Sequence, residues 1–303
     1  MPKPRGSVDT AHNDAGIQRD VQLTGVLNLS YLGNDLSDAR LLSIARGIHA
    51  NAAVAVRMIS LRGCCGKELS EKGIAEALAL ISRKNVPENK AKQLKNVPIT
   101  FQPTFNVVRR LHLGDLGSKQ TGPALTLCIA KNFSFLTEIV LDNWKHLSDG
   151  QVSAILQHSS LLQRLSLSNC TKLTGQTWHS AWSLQLLQVT GCTQLDPSIL
   201  EVAQWPTLYP SLRFLHVMDK TTLAALQLTT SDQREAVRKR WAFLQIVSSL
   251  ADKEAVQFLV AEHFRSLEEV ASKKARRIQD SPIAHVKRLL QNDKDKESLG
   301  VTD

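Results

Sequence analysis

The sequence lacks the features of a membrane-spanning or secreted protein. Its 303 residues contain no apolar run near the roughly 18 residues that cross a bilayer. The N-terminal stretch MPKPRGSVDTAHNDAGIQRD has no hydrophobic segment of the secretory kind, and Asp9, Asp14 and Asp20 fit poorly with an acid-poor mitochondrial transit peptide. Five cysteines, an odd number, favour a reducing compartment. We therefore expect a cytoplasmic protein, with a mitochondrial or cytoskeletal association left open.

Motifs that signal enzymatic chemistry are also missing. The sequence has no P-loop, no G-x-G-x-x-G, no H-E-x-x-H and no G-x-S-x-G. Cys64 and Cys65 are adjacent, but no further zinc ligands stand nearby. We therefore predict no enzymatic activity, no cofactor, no metal and no small-molecule substrate. The net charge of +9 is consistent with an acidic partner such as nucleic acid, a ribosome surface or an acidic protein patch.

What the sequence does contain is a repeat. Leu162–Cys170 reads L-x-x-L-x-L-x-x-C, and Leu184–Cys192 follows the same pattern. Seven copies share this register, and their pattern positions are Thr24/Leu27/Leu29/Leu32, Val56/Ile59/Leu61/Cys64, Val108/Leu111/Leu113/Leu116, Leu136/Ile139/Leu141/Trp144, Leu162/Leu165/Leu167/Cys170, Leu184/Leu187/Val189/Cys192 and Leu212/Leu215/Val217/Lys220. The L-x-L core is typical of a short strand with alternate residues inward.

The segments between the strands are patterned as helices. Ser37, Ser70 and Ser148 each precede a helical apolar pattern and are placed to cap its first turn. Because no single unit can bury its own apolar face, the units must stack into an array. We therefore predict an α/β solenoid over residues 21–230, with parallel strands on the concave face and helices on the convex face. Residues 1–20 are predicted to be a disordered leader.

These motifs resemble those of the ribonuclease-inhibitor-like leucine-rich repeats. The copies that end at Cys64, Cys170 and Cys192 are similar to the cysteine-containing subtype found in F-box proteins, and Leu165–Thr174 matches that subtype best. The resemblance spans about residues 21 to 220. It implies a leucine-rich-repeat fold and protein recognition on the concave face. We find no F-box module before the first strand, since only about twenty polar residues precede it.

Two regions interrupt or follow the array. Residues 83–102 form a basic insertion with five cations, which either contacts a phosphate backbone or an acidic protein, or is a solvated loop. Residues 231–291 are patterned as helices, with Val237, Trp241, Leu244 and Val247 at helical spacing. They either cap the last repeat or dock a partner through basic runs. Residues 292–303 are polar and predicted to be a disordered tail.

The register also predicts the exposed residues of the concave face. Arg110, Glu138 and Arg164 share one column, so Glu138 is placed to bridge its neighbours. No such partner stands in the register beside the other arginines of the basic N-terminal half. An exposed apolar cluster is expected at the C-terminal end of the face. The predicted partner-binding residues are Arg57, Arg62, Arg109, Leu186, Phe214 and Met218.

Equivalent positions on neighbouring repeats place Cys170 and Cys192 near each other. A disulfide is conceivable, but we favour small buried side chains at the turn after each strand. For function we favour an interaction scaffold that binds an acidic protein surface as a subunit or assembly factor of a larger complex. One alternative is RNA or ribosome association through the insertion and tail, which predicts salt-sensitive binding. The other is a substrate-recognition subunit of an SCF-type ubiquitin ligase.

Overall fold

The fold is visible in a computed structural model that describes residues 8–51, 54–82, 108–200, 205–240 and 244–248. All of these belong to one compact unit, Met1–Ser248. The basic insertion at 83–102, the tail at 292–303 and most of the expected C-terminal helices lie outside the described residues. In the described ranges, no helix combines the length and apolarity that crossing a membrane requires.

Eight three-residue strands form one parallel sheet, each paired only with its neighbours in the chain. They are β1 (Val26–Asn28), β2 (Met58–Ser60), β3 (Arg110–His112), β4 (Glu138–Val140), β5 (Arg164–Ser166), β6 (Leu186–Gln188), β7 (Phe214–His216) and β8 (Gln245–Val247). The central residues Leu27, Ile59, Leu111, Ile139, Leu165, Leu187, Leu215 and Ile246 pair in a single row. The seven predicted strands and their register are confirmed.

Helices connect the strands and pack on one side of the sheet. They are α1 (Val8–Thr24), α2 (Asp38–Ala50), α3 (Glu71–Ser82), α4 (Pro123–Asn132), α5 (Asp149–His158), α6 (Trp205–Leu208), α7 (Lys220–Ala225) and α8 (Ser231–Arg240), with 3₁₀ helices at Ser30–Asp35 and Pro197–Leu200. Helix α2 shows why they form: Leu41, Ile44, Ala45 and Ile48 are buried at helical spacing. The predicted α/β repeat solenoid is therefore confirmed.

The two layers differ in the spacing that they require. Parallel strands lie about 4.8 Å apart, whereas packed helices need about 8 to 10 Å between axes. Consecutive helices α2 and α3, and likewise α4 and α5, pack against each other. Since the helical layer needs more room per repeat, the array curves toward the sheet. The free face of the sheet is therefore concave, as the sequence predicted.

Side chains at the cysteine position bond to the preceding repeat. The Cys64 Sγ donates to the Leu29 carbonyl at 3.3 Å, the Cys170 Sγ to Leu141 at 3.3 Å and the Cys192 Sγ to Leu167 at 3.0 Å. Trp144 Nε1 makes the same bond to Leu113 at 2.7 Å. All four donors are buried, so each bond gives a buried donor its acceptor and connects two adjacent repeats. These cysteines are free thiols, as we favoured.

Acidic residues in the first helical turn reach across to the next repeat. Asp38 of α2 accepts from the Ser70 backbone N–H at 2.8 Å and from its hydroxyl at 2.5 Å. Glu71 of α3 accepts from the Leu125 N–H at 2.9 Å. A Cβ at Gly73 would overlap the Asp38 carboxylate, so a larger residue there would displace it from Ser70. Each of these helices thus stabilises the start of the next one, where N–H groups lack intrahelical partners.

Asp149, the first residue of α5, makes the most extensive of these contacts. Its carboxylate accepts from the Thr174 hydroxyl at 2.7 Å, the Gly175 N–H at 2.9 Å and Trp178 Nε1 at 2.6 Å. The predicted serine caps are present at Ser37, which accepts from Arg40 N, and at Ser70, which accepts from Gly73 N. Ser148 caps α5 through a capping box with Gln151, whose Oε1 accepts from the Ser148 N–H at 2.9 Å.

Two boundary predictions are wrong. Residues 8–24 form a helix, not part of a disordered leader, because Ile17 and Val21 bury against the first repeat and shield its open end. Residues 245–247 form an eighth strand, although the apolar spacing predicted a helix through Val247. The sheet therefore extends beyond residue 230, and α8 at 231–240 lies between two strands instead of starting a purely helical cap.

Candidate interaction face

The concave face is built from the strand residues that alternate with the core row. One column runs Met58, Arg110, Glu138, Arg164, Leu186 and Phe214, and a second runs Ser60, His112, Val140, Ser166, Gln188 and His216. Because strand side chains alternate between faces, both columns point away from the helices. Parallel pairing holds each column in register, so neighbouring side chains along it interact.

The N-terminal half of this face carries exposed arginines. Arg57, Arg109 and Arg110 are all exposed. Arg109 is held in place: its guanidinium lies 5.2 Å from the Phe135 ring centroid, and its Nη1 donates to the Phe135 carbonyl at 3.0 Å. Among the described residues, neither Arg57 nor Arg109 has a carboxylate within ion-pair distance. The structure thus supports a basic surface at Arg57 and Arg109.

The sequence register predicted no acidic partner for Arg62, but the structure provides one. Its Nε donates to Asp115 Oδ2 at 2.7 Å, and this bond raises the pKa of Arg62. Asp115 in turn accepts from Asn143 Nδ2. Asp115 and Asn143 both have positive φ, of 60° and 65°, at the same turn of consecutive repeats. This left-handed turn brings Asp115 to Arg62, which the strand register alone did not reveal.

Glu138 lies between a histidine and an arginine in the middle of the face. His112 Nε2 lies 2.9 Å from Glu138 Oε1, and Arg164 Nη1 lies 3.5 Å from Glu138 Oε2. Burial alone would raise the pKa of Glu138, but the His112 hydrogen bond and the charges of His112, Arg164 and Arg110 outweigh it and lower the pKa. The predicted bridge to Arg164 is present, and His112 replaces Arg110 as the second bonded partner.

A chain of polar side chains continues across the later strands. Asp142, which is 9% exposed, accepts from the Ser166 hydroxyl at 2.6 Å and the Ser168 N–H at 2.8 Å. Gln188 Nε2 donates to the Ser168 hydroxyl at 2.8 Å, and Gln188 Oε1 lies 3.2 Å from His216 Nδ1. We call Asp142, Ser166, Ser168, Gln188 and His216 the concave polar network. Its mutual bonds fix these side chains in place.

The sequence register predicts that all five side chains of the concave polar network share this face. It could not show that they bond to one another, as when Asp142 turns back toward Ser166. The sequence does contain a signal for these bonds: an aspartate at position 142 faces serines at 166 and 168 of the next repeat, and such pairs favour short hydrogen bonds between strands.

The expected apolar cluster at the C-terminal end is only partly exposed. Leu186 and Met218 are half-buried. Phe214 is only 6% exposed, so the expectation that its side chain is exposed is wrong. In its column it lies between Leu186 and Gln245. The eighth strand, which the sequence did not predict, gives Phe214 a neighbour on its second side.

Two other features of the described residues concern metal ligands and a cavity on the helical side. In the described ranges, no group of three or more His, Cys, Asp or Glu side chains is placed to hold a metal ion. A cavity of about 340 Å³ lies on the convex side between the 3₁₀ helix Pro197–Leu200 and α8. It is lined by both polar and apolar residues, including Asp196, Leu226, Gln233 and Val237.

The fold defines an α/β repeat solenoid of the leucine-rich-repeat type. No family model and no curated protein matches the sequence. Among solved structures, a chain of the crystal structure of the Rad7 and Elc1 complex in yeast matches at 12% identity, covering 82% of this chain and 94% of that chain, with a TM-score of 0.27. The fold assignment therefore rests on the parallel strand register and the stacked helices of this chain.

Proposed function

We propose that this protein is a non-enzymatic interaction scaffold that binds an acidic surface of a partner protein on its concave face. The main support for this proposal is that exposed arginines, Arg57 and Arg109, stand beside a polar face whose side chains are fixed across the middle repeats. A pre-arranged surface loses little side-chain entropy on binding. Charged side chains at its rim steer association with a partner of opposite charge. We further propose that it serves as a subunit or assembly factor of a larger complex.

The arrangement of the concave polar network supports a binding role over a hydrolytic one. A nucleophilic serine needs its hydroxyl bonded to a histidine that acts as base. Here the Ser166 hydroxyl donates directly to Asp142, and His216 bonds to Gln188. These side chains stabilise one another and present a hydrogen-bonding surface. The thiol bonds of Cys64, Cys170 and Cys192 also support assignment of the repeats to the cysteine-containing subtype.

Site-specific photo-crosslinking tests this proposal. A benzoylphenylalanine introduced at Leu186, on the concave face, is expected to crosslink the native partner in cells. The same group at Leu127, which is 50% exposed on α4, is the matched control on the convex side and should give no such product. Mass spectrometry of the crosslinked peptides identifies the partner segment. Crosslinks that arise from position 127 and never from position 186 would place the binding surface elsewhere and refute the proposal.

A further inference from the structure

A surface that shares Arg57 and Arg109 with the concave face lies beside it, where the chain leads into each strand. We define the entry edge as the residues just before β1 to β7: 22–25, 54–57, 108–109, 134–137, 160–163, 182–185 and 210–213. Parallel strands all begin at the same edge of the sheet, so these segments lie side by side. Backbone bonds connect them, as when Gln163 N donates to the Thr137 carbonyl at 2.9 Å.

Exposed apolar side chains concentrate on this edge. Five large hydrophobic residues of the described ranges are well exposed, and three of them are Leu23 at 74%, Leu161 at 43% and Trp182 at 69%. Leu161 and Trp182 lie on consecutive repeats, and the Ser183 hydroxyl joins their loops by donating to the Ser160 carbonyl at 2.9 Å. Leu161 and Trp182 form a cluster of the kind that marks an interaction site, whereas Leu23 lies four strands away from Leu161.

The charge of the entry edge has one sign. Its segments contain no aspartate, no glutamate and no lysine, and their charged residues are Arg57, Arg109 and Arg213. The opposite edge is mixed, since Asp115 and Asp219 occur there together with Arg62 and several lysines. An edge with arginines and apolar side chains but without carboxylates is complementary to an acidic, partly apolar ligand.

The residue types favour a protein ligand over a nucleic acid. Arginine and tryptophan are enriched at protein–protein contacts, where lysine is depleted. Single-stranded nucleic acid is bound by rows of aromatic side chains on which bases stack, whereas Leu23 and Leu161 are aliphatic. Phe135, the second aromatic residue of the edge, is already occupied by the Arg109 guanidinium at 5.2 Å from its ring centroid.

We propose that the entry edge docks an acidic segment of the partner protein that carries aliphatic or aromatic side chains. The apolar side chains of that segment pack on Trp182 and Leu161, and its carboxylates pair with Arg57 and Arg109. The inference rests on the proposed function, because the same partner continues from the edge onto the concave face. It adds the chemistry of the ligand and an adjoining surface for it.

Peptide selection tests the chemistry of this ligand. A displayed library of random peptides is selected on the full chain and counter-selected on the double variant Arg57→Glu/Trp182→Ser. We expect enrichment of peptides that combine Asp or Glu with Leu, Phe or Trp. For a labelled peptide from this pool, fluorescence anisotropy should show binding about tenfold weaker to Trp182→Ser. Binding to Arg57→Glu should be weaker at low salt and less sensitive to added salt.

Matched variants separate the edge from other exposed apolar residues. Leu127→Ser on α4 and Tyr31→Ser on the opposite edge replace side chains that are 50% and 61% exposed, and both should bind the peptide as the wild type does. Circular dichroism verifies that all variants fold, which is expected because the replaced side chains are solvent-exposed.

Three results would overturn the inference. In the first, no peptide is enriched, or the enriched peptides are basic. In the second, the peptides bind Trp182→Ser as tightly as the wild type. In the third, the edge variants lose binding of polyuridylate or of phosphatidylserine vesicles while peptide binding is unchanged. The Leu186 crosslink is an independent readout: if it succeeds while peptide selection fails, the concave-face proposal stands and the entry-edge inference falls.

Discussion

At the scale of single residues, Glu138 shows how the concave face keeps a carboxylate charged. Its side chain is only 18% exposed, and burial opposes its charge. His112 and Arg164 on the two neighbouring strands offset that cost. A group whose pKa is lowered on folding contributes stability above its unfolded pKa, and this contribution is lost as the pH falls through the folded pKa.

We predict that Glu138→Gln lowers the free energy of unfolding at pH 7 by about 1 kcal/mol, because the ion pair with Arg164 is lost and the hydrogen bond with His112 is weakened. The difference from the wild type should shrink as the pH falls below 4.5, the ordinary pKa of a glutamate, toward the lowered folded value. Urea unfolding at a series of pH values measures it. Lys131→Gln, at an exposed position of α4, is the control. A difference that persists or grows in acid would contradict the prediction.

At the scale of elements, the starts of α3 and α4 and one loop each depend on a carboxylate from the repeat before them. Asp149 belongs to α5, yet its bonds go to Thr174, Gly175 and Trp178 of the following repeat. That following repeat has no α-helix of its own between β5 and β6. Its loop is instead organised around the Asp149 carboxylate, which supplies acceptors to backbone and side-chain donors that would otherwise lack them.

Removing this carboxylate should therefore destabilise the neighbouring repeat. We expect Asp149→Ala to lower the free energy of unfolding by about 1 to 2 kcal/mol. Hydrogen exchange should accelerate at Thr174 and Gly175 more than within α5. Asp232→Ala, at an exposed acid in the first turn of α8, is the matched control and should cost about 0.5 kcal/mol or less. Equal exchange in both repeats would argue against coupling across the boundary.

The sequence determines these elements unequally. Seven strands were predictable because every repeat has apolar residues at the same spacing and buries them in the same way. The eighth was not, because Ser248 stands where the earlier copies have a leucine or valine, and the surrounding apolar spacing is helical. The N-terminal helix has a weak apolar pattern, and among its described side chains at 14–24 only Ile17 and Val21 are buried. Its position depends on covering the first repeat, which is a tertiary effect.

The interaction face was predictable only in part for a related reason. Strand register fixes which side chains share a face, so the exposure of Arg57 and Arg109 followed from the sequence. Strand register does not fix the left-handed turns that follow the strands. Those turns place Asp115 beside Arg62, so that this arginine is paired with a carboxylate. Nor does strand register show which ends of the array are covered, and this is why the burial of Phe214 was missed.

At the scale of the whole molecule, the array is stabilised by contacts between adjacent repeats. In such proteins the stability is close to a sum of repeat terms and nearest-neighbour terms. Buried cysteines in different repeats provide local reporters of opening. Burial raises the pKa of Cys64 to about 11 and that of Cys192 to about 12, so their thiols react only when their repeats open.

We predict that iodoacetamide labels the exposed Cys65 first in the native protein, while Cys64, Cys170 and Cys192 are protected. Ile139→Ala, which removes about 2 to 5 kcal/mol of packing from the β4 repeat, should accelerate labelling of Cys170 more than that of Cys64. Val140→Ala, on the half-buried concave side of the same strand, is the control. Mass spectrometry of labelled peptides measures each rate. Equal acceleration at both cysteines would mean that the array opens as one unit.

The bonds that join one helix to the next also affect how such an array can grow during evolution. Asp38 meets Ser70, and Ser70 in turn begins the helix whose Glu71 meets Leu125. A gene duplication that copies such a segment whole, from one acidic helix start to the next, carries both the acceptor and the donor. A breakpoint inside it would separate them and leave a helix start unsatisfied. A duplication that keeps these bonds therefore begins and ends at a helix start.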